Sequence, residues 1–331
     1  MELLSGADIL ENFLLELSPQ LLGVLLKDHT MSTPEEQRNI FWATHDYEEL
    51  GAGYQYDDPI LPELITGENG NVIMPRTLKD RAVLAGRIRD MAEVFTPSWV
   101  CNLQNNQIDR EWFGRDDVFN HQNADNTWES NPDKIVFPEG KTWRDYVSDV
   151  RMEITCGEAP YMVSRYDSTT GVEIPLQRRI GLLDRKLRVV SENTTTSKDW
   201  LEWARRAYQS VYGFEWQGDN LLIARENILM TFADYYRAKF NRNPQVKSLQ
   251  YVAYLVSWNF WQMDGLKGVV PNTCGHTQSE QMALFGEREI CECPGCQNDK
   301  IRDHNGTYCL IRDWQMNSKN NKVRFIDLLP H

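Results

Sequence analysis

Apolar residues near the start of the chain recur at helical spacing. Ile9, Leu10, Phe13, Leu14 and Leu17 share a face, and Ser18-Pro19 ends that run and opens a second one. The pattern predicts a packed helical hairpin; a partner-docking helix is the other use of such a face. Glu2, Asp8, Glu11 and Glu16 interrupt the apolar run, so it does not read as a signal peptide. The region up to residue 75 reads as a helical, loop-rich extension, with turns at Gly51-Ala-Gly53, Asp57-Asp58-Pro59 and Gly67-Glu-Asn-Gly70. A helix is expected from Lys79 to Met91, carrying Lys79, Arg81, Arg87 and Arg89. Residues 102–150 are polar and rich in Asn, Asp and Trp, with loop signals at Asn131-Pro132 and Pro138-Glu-Gly140.

From Arg151 onward, short apolar runs alternate with helical periods. A strand leads into Glu153, and a basic segment follows from Arg178 to Arg188. A helix is expected from about Ser197 to Ser210, then a strand ending at Glu215. Gly218-Asp219-Asn220 opens a long helix with Leu222, Ile223, Ile228, Leu229 and Phe232 on its apolar side. Another helix, about Gln245 to Ser257, leads to a strand ending at Asp264. Strand–helix alternation predicts a doubly wound α/β architecture with a parallel sheet. The final segment holds a cysteine cluster and a strand from Lys322 to Ile326. The expected division is an extension over 1–75, a cofactor-binding domain over 76–270, a cysteine-rich insertion over 271–315, and a last strand and tail over 316–331.

Composition narrows the function classes. The 331 residues carry a formal net charge of -13, so any nucleic-acid contact has to be a local basic surface on an acidic body. No stretch approaches the roughly 20 apolar residues of a membrane span. The seven cysteines are an odd number, and four of them crowd into Cys291–Cys309. In the absence of a secretion signal this favours a cytoplasmic protein with a metal site over a disulfide framework.

Three acidic strand ends carry the candidate chemistry. Strand ends on one edge of an open α/β sheet form its ligand crevice. Glu153-Ile-Thr-Cys156-Gly157-Glu158-Ala-Pro-Tyr161 joins an acid, a glycine turn and a following helix start, which suits a cofactor needing close backbone approach and amide donors. Glu215, after the second strand, is placed as an acceptor for ribose hydroxyls, or else is a solvated carboxylate. It lies beyond the roughly 20-residue spacing of a dinucleotide fold, so an insertion over about Asp167 to Ser197 is expected. Asp264 closes the third run.

These segments, with Phe95-Thr96-Pro97, Tyr212-Gly-Phe-Glu215 and Asn259-Phe-Trp-Gln-Met-Asp264-Gly-Leu266 in that order, resemble the S-adenosylmethionine-binding part of amino-group DNA methyltransferases of the adenine-N6 type. Ala92-Glu-Val-Phe-Thr-Pro-Ser-Trp-Val100 and Trp261-Gln-Met-Asp-Gly-Leu-Lys267 resemble bacterial restriction endonuclease subunit M proteins, and the likeness spans about residues 40–329. It implies a Rossmann-like methyltransferase fold. It implies that Thr96 and Pro97 flank the methionine tail of the cofactor and that Glu153 and Gly157 line its amino-acid end. Cys156 and Glu158 then shape the turn, Glu215 accepts from the ribose, and Asp264 lies near the adenine amino group, a donor. It also implies a restriction–modification setting, with DNA and a partner subunit as partners. Two departures stand out: Ala159 replaces a second glycine, and Ile154 replaces a proline. The Asn/Asp-Pro-Pro-aromatic tetrapeptide that grips a flipped base is absent, and the sequence contains no Pro-Pro pair. The catalytic residues are therefore unassigned, and a catalytically silent DNA- or protein-binding subunit is the alternative.

Cys293-Pro-Gly-Cys296 has the spacing of a metal knuckle. Structural zinc held by Cys293, Cys296, Cys309 and His304 is expected, with Cys291, Cys274 and His276 as spare ligands; a redox pair on Cys293 and Cys296 is the competing use. Arg178, Arg179, Arg185, Lys186 and Arg188 read either as a solvated face or as phosphate contacts. Trp200, Trp203, Trp258 and Trp261 sit in periodic apolar runs and read as core rather than base-stacking residues.

Overall fold

Three parallel strands organise the molecule. In the computed structural model, which describes residues 9, 11–79, 96–275, 277–278, 290–316 and 321–330 (backbone alone for 277, 278, 290 and 291), the fold is mixed α/β with small sheets. The helix expected from Lys79 to Met91 lies outside the described residues except for Lys79, as do Ala92 to Phe95.

The helices are α1 (Glu11–Leu17), α2 (Pro19–Leu26), α3 (Pro62–Ile65), α4 (Ser98–Phe113), α5 (Trp143–Ser148), α6 (Leu182–Asn193), α7 (Ser197–Gln209), α8 (Gly218–Phe240), α9 (Val246–Asn259) and α10 (Pro294–Asn298). The strands pair in sequence as β1 (Lys27–Asp28) with β2 (Arg38–Asn39), and β3 (Asn120–Gln122) with β4 (Trp128–Ser130). The parallel sheet is β5 (Arg151–Glu153), β6 (Val211–Glu215) and β7 (Phe260–Gln262), in that order. Then β8 (Thr277–Gln278) pairs β9 (Ile290–Cys291), and β10 (Leu310–Arg312) pairs β11 (Lys322–Arg324).

Parallel neighbours need long crossovers. Here α6 and α7 connect β5 to β6, and α8 and α9 connect β6 to β7. The register sets Glu153 opposite Gly213 and Glu215 opposite Gln262, which stacks polar residues along one sheet edge. Gly213 is required at the centre: a Cβ there would meet the Phe260 ring at 2.6 Å. Helix α8 is buried over most of its length, and it buries polar residues such as Asp219, Arg225 and Asn227 as well as apolar ones. It ends at Asn241, whose left-handed φ of 49° gives the usual helix stop.

The N-terminal helices belong to this core. Pro19 starts α2 at a position where its missing N–H is harmless. Leu21, Leu22, Leu25 and Leu26 are buried with the α8 and α9 side chains. The buried Arg225 guanidinium fastens them, donating to the Leu25 carbonyl, to Lys27 O at 3.2 Å, to Ser257 O at 3.2 Å and to Phe260 O at 2.6 Å.

Several expectations are corrected. The polar region after residue 101 is entered by the 16-residue helix α4, whose buried stripe is mostly polar: Ser98, Asn102, Asn105 and Asp109, with Cys101 and Phe113. The basic segment is not one solvated face: Arg178 is exposed, but most of the segment is not. It is a 3-10 turn over Leu176–Arg178 followed by α6, in which Arg185 and Lys186 are buried. The third parallel strand stops at Gln262, short of Asp264, and β11 stops at Arg324, where a 3-10 turn over Phe325–Leu328 begins.

Candidate cofactor crevice and metal centre

The turn after β5 is built from left-handed residues. Thr155, Gly157 and Ala159 have φ of 46°, 52° and 63°, so the backbone coils tightly and its amides point inward. Ala159 keeps the conformation a glycine would favour, at a cost of about 1 kcal/mol. Two acids receive the amides. Glu153 accepts from Tyr161 N at 3.2 Å and Met162 N at 3.1 Å, and Glu215 accepts from Gly157 N at 2.8 Å. Burial pushes the Glu153 carboxyl up to about 8, against the pull of those two amides, and nearby Glu215 adds to the rise. Burial likewise pushes the Cys156 thiol well above its ordinary value. Glu158 is directed elsewhere, accepting from Arg76 N at 2.6 Å and from the Tyr166 hydroxyl at 2.6 Å.

The Thr96 side chain, just ahead of α4, meets Tyr161 at the end of this turn. Pro97 caps α4, and Thr96 O accepts from Ser168 Oγ at 2.9 Å. Asn105, about two turns further along the buried stripe, donates to Tyr161 O at 3.0 Å. The structure thus gathers Thr96, Pro97, Glu153, Cys156, Gly157 and Glu215 around one strand edge. The far side of the edge is closed by the segment after β2. Gln262 exchanges hydrogen bonds with the Phe41 backbone at 3.0 and 2.9 Å and donates to Trp216 O at 2.8 Å. Sequence reasoning passed over both Phe41 and Gln262, since nothing in a lone Phe or Gln marks such pairing. Asp264 sits just beyond β7 and spends Oδ1 on its own turn, accepting from Leu266 N at 3.0 Å and Lys267 N at 3.2 Å; Lys267 Nζ lies 3.5 Å from Oδ2.

The basic segment lies apart from this edge. Arg179, Arg185 and Arg188 line a cavity of about 660 Å³ beside α6. Asp234, Asp109 and Glu192 respectively neutralise them, which leaves little charge for phosphates.

The cysteine cluster is the most sharply defined ligand set. Cys274, Cys293, Cys296 and His304 place their donor atoms within 4.8 Å of one another. Cys274 Sγ lies 3.3 Å from Cys293 Sγ, 3.5 Å from Cys296 Sγ and 3.3 Å from His304 Nδ1. His304 Nδ1 is 3.4 Å from Cys293 Sγ and 3.6 Å from Cys296 Sγ. Bond lengths of about 2.3 Å to sulfur and 2.0–2.1 Å to nitrogen give tetrahedral edges of roughly 3.6–3.8 Å, so a single ion fits with a small adjustment. Gly295 makes the fit possible, because a Cβ there would meet His304 Nδ1 at 2.6 Å. Cys309 is not part of the set. Its side chain is fully buried in the core and its thiol donates to Gln262 O at 3.4 Å. The sequence signal against it is its place just before Leu310 and Ile311, at the start of an apolar strand. His276 and the Cys291 side chain lie outside the described residues.

Among the described residues no helix is long and apolar enough to cross a membrane. No family model, curated protein or solved structure matches the chain.

Proposed function

We propose that the strand edge binds S-adenosylmethionine and that the chain is an adenine-N6 type DNA methyltransferase, or the cofactor-binding subunit of one, in a restriction–modification system. One observation carries this reading. Two buried acids, Glu153 and Glu215, end adjacent parallel strands and meet the amides of one left-handed turn, and the Thr96 side chain meets Tyr161 at the end of that turn. Strand ends of an open α/β sheet are where such folds hold ligands. In this reading the fold is the doubly wound methyltransferase type, and the cofactor's sulfonium supplies the methyl group. The protein supplies alignment. Glu215 holds the ribose hydroxyls in place of the Gly157 amide or together with it. Thr96 and Pro97 flank the methionine tail, and Asp264 Oδ2 faces the adenine amine.

The missing Pro-Pro pair favours a second reading, in which the chain keeps the cofactor site and acts as a binding subunit without performing transfer. Calorimetry with S-adenosylmethionine, followed by labelled methyl transfer to mixed-sequence DNA, separates the two. Binding with transfer supports the enzyme, and binding without transfer supports the subunit. Glu215→Ala is expected to weaken cofactor binding by about 10-fold or more, since a hydrogen bond to a charged group contributes roughly 1.5–3 kcal/mol. Absence of binding by the unmodified chain would refute both readings.

A further inference from the structure

We propose that Cys274, Cys293, Cys296 and His304 hold one zinc ion, and that this ion fixes the position of the Asp264 turn at the strand edge. The donor set is soft, with three thiols and one imidazole. It is also compact: all four donor atoms lie within 4.8 Å of one another, too close for a two-iron cluster that divides its ligands between two metals. Four protein ligands close the coordination shell and leave no position for substrate or water, so the ion is structural. The surroundings are arranged for thiolates. Asn305 N donates to Cys293 Sγ at 3.3 Å, and the Lys267 ammonium is near enough to Cys296 and Cys274 to feel their charge. Gly306 lets the two arms approach, because a Cβ there would meet the Cys274 Cβ at 2.9 Å.

The positioning role follows from the backbone. Asp264 N donates to Val269 O at 2.8 Å and Gly268 N donates back to Asp264 O at 2.8 Å, closing the turn. The returning arm then pairs with the chain that leaves His304: Cys309 N donates to Gly268 O at 3.0 Å, Val270 N donates to Thr307 O at 2.8 Å, and Val269 bridges Tyr308. One arm reaches Cys274 a few residues after Val270, and the other begins at His304 a few residues before Thr307. Asn305 ties the two again, donating to Gly275 O at 2.8 Å and accepting from Gly275 N at 3.2 Å. A metal ion bridging Cys274 and His304 therefore clamps both arms of the ladder that carries Asp264. Without the ion, three thiols and an imidazole crowd one another at 3.3–3.6 Å, and the ladder loses its cross-link.

The metal half stands by itself; the link to ligand binding rests on the proposed S-adenosylmethionine site. The test uses the full chain. Metal analysis is expected to find about one zinc per chain, retained in Cys309→Ala and lost in Cys274→Ser. Loss in Cys309→Ala with retention in Cys274→Ser would overturn the ligand set, as would a folded metal-free protein or a Cys274–Cys293 disulfide seen by mass. Reversible chelation followed by zinc return covers the case in which Cys274→Ser does not fold. Hydrogen exchange on the chelated protein is expected to speed the Gly268, Val270 and Cys309 amides by about 10-fold or more, with the α8 amides unchanged. Unchanged exchange at those three amides in a zinc-dependent protein would overturn the clamp. If the zinc-loaded chain binds S-adenosylmethionine, chelation should weaken that binding by about 10-fold, and by linkage the cofactor should raise the zinc affinity by the same factor. If the zinc-loaded chain binds none, the cofactor reading fails while metal content and exchange still decide the clamp.

Discussion

Thr155 shows what the acidic turn costs the chain. It is exposed, β-branched and held at a φ of 46°, a conformation such residues rarely adopt. Its hydroxyl bonds only to the neighbouring Ile154 carbonyl at 2.8 Å. Thr155→Gly should therefore stabilise the protein by about 1 kcal/mol, because the strain is relieved and no buried surface is lost. Gly157→Ala should act oppositely, by about 1–2 kcal/mol, since its φ of 52° is equally left-handed. Urea denaturation of both variants checks the pair, and equal midpoints would contradict the reading of the turn as strained. Ala159 belongs to the same account: its φ of 63° was not visible in the sequence, where Ala stood only as a departure from Gly.

At the scale of elements, legibility depended on whether the buried face was apolar. Helices α8 and α9 are readable because apolar residues recur among their buried positions, Leu221, Leu222, Ile223, Ile228, Leu229 and Phe232 in α8 and Leu249, Val252, Leu255 and Val256 in α9. Helix α4 was not, because it buries Asn102, Asn105 and Asp109, and buried polar residues imitate a loop composition. Its partner explains the choice. Arg185 on α6 donates to Asp109, to Asn102 Oδ1 at 2.9 Å, to Asn106 Oδ1 at 2.8 Å and to Ile180 O at 3.0 Å. A buried cation and a buried polar stripe have to be read together, and they lie about 80 residues apart in sequence. The same limit applied to the metal centre: the Cys293–Cys296 spacing is local and readable, whereas Cys274 comes from a separate arm. Arg185→Met should destabilise by about 3–5 kcal/mol, as it strands Asp109 without its cation. Adding Asp109→Asn, which can still accept from the Tyr146 hydroxyl now 2.8 Å away, should recover at least about 1 kcal/mol. Chemical denaturation of the single and double variants measures this, and a double variant no more stable than Arg185→Met would show that the stranded charge is not the cause.

Across the whole molecule, the acidic strand edge makes stability depend on pH. Glu153 is buried at the end of β5 with its carboxyl pushed up to about 8, whereas an unfolded chain would hold it near the ordinary 4.5. Between those values the folded protein keeps a proton that the unfolded chain has released. Stability then falls as pH rises, by up to about 1.4 kcal/mol per pH unit for one proton. His29 works in the opposite direction over a lower range. Burial against Trp258, with Arg225 and Lys27 nearby, pushes its imidazole down to about 2, so folding excludes a proton that the unfolded chain binds below 6.5. Stability from His29 therefore rises with pH up to about 6.5, offsets Glu153 over 4.5–6.5, and leaves the Glu153 decline uncovered from 6.5 to 8. Glu153→Gln keeps an oxygen for one of the two amides and removes the titrating proton. The difference in unfolding free energy between this variant and the parent should grow in the variant's favour from about pH 4.5 to 8, since His29 is common to both, and level off above the folded value. Denaturation curves at several pH values measure that difference directly, and parallel profiles for the two proteins would mean that Glu153 does not retain its proton in the folded chain.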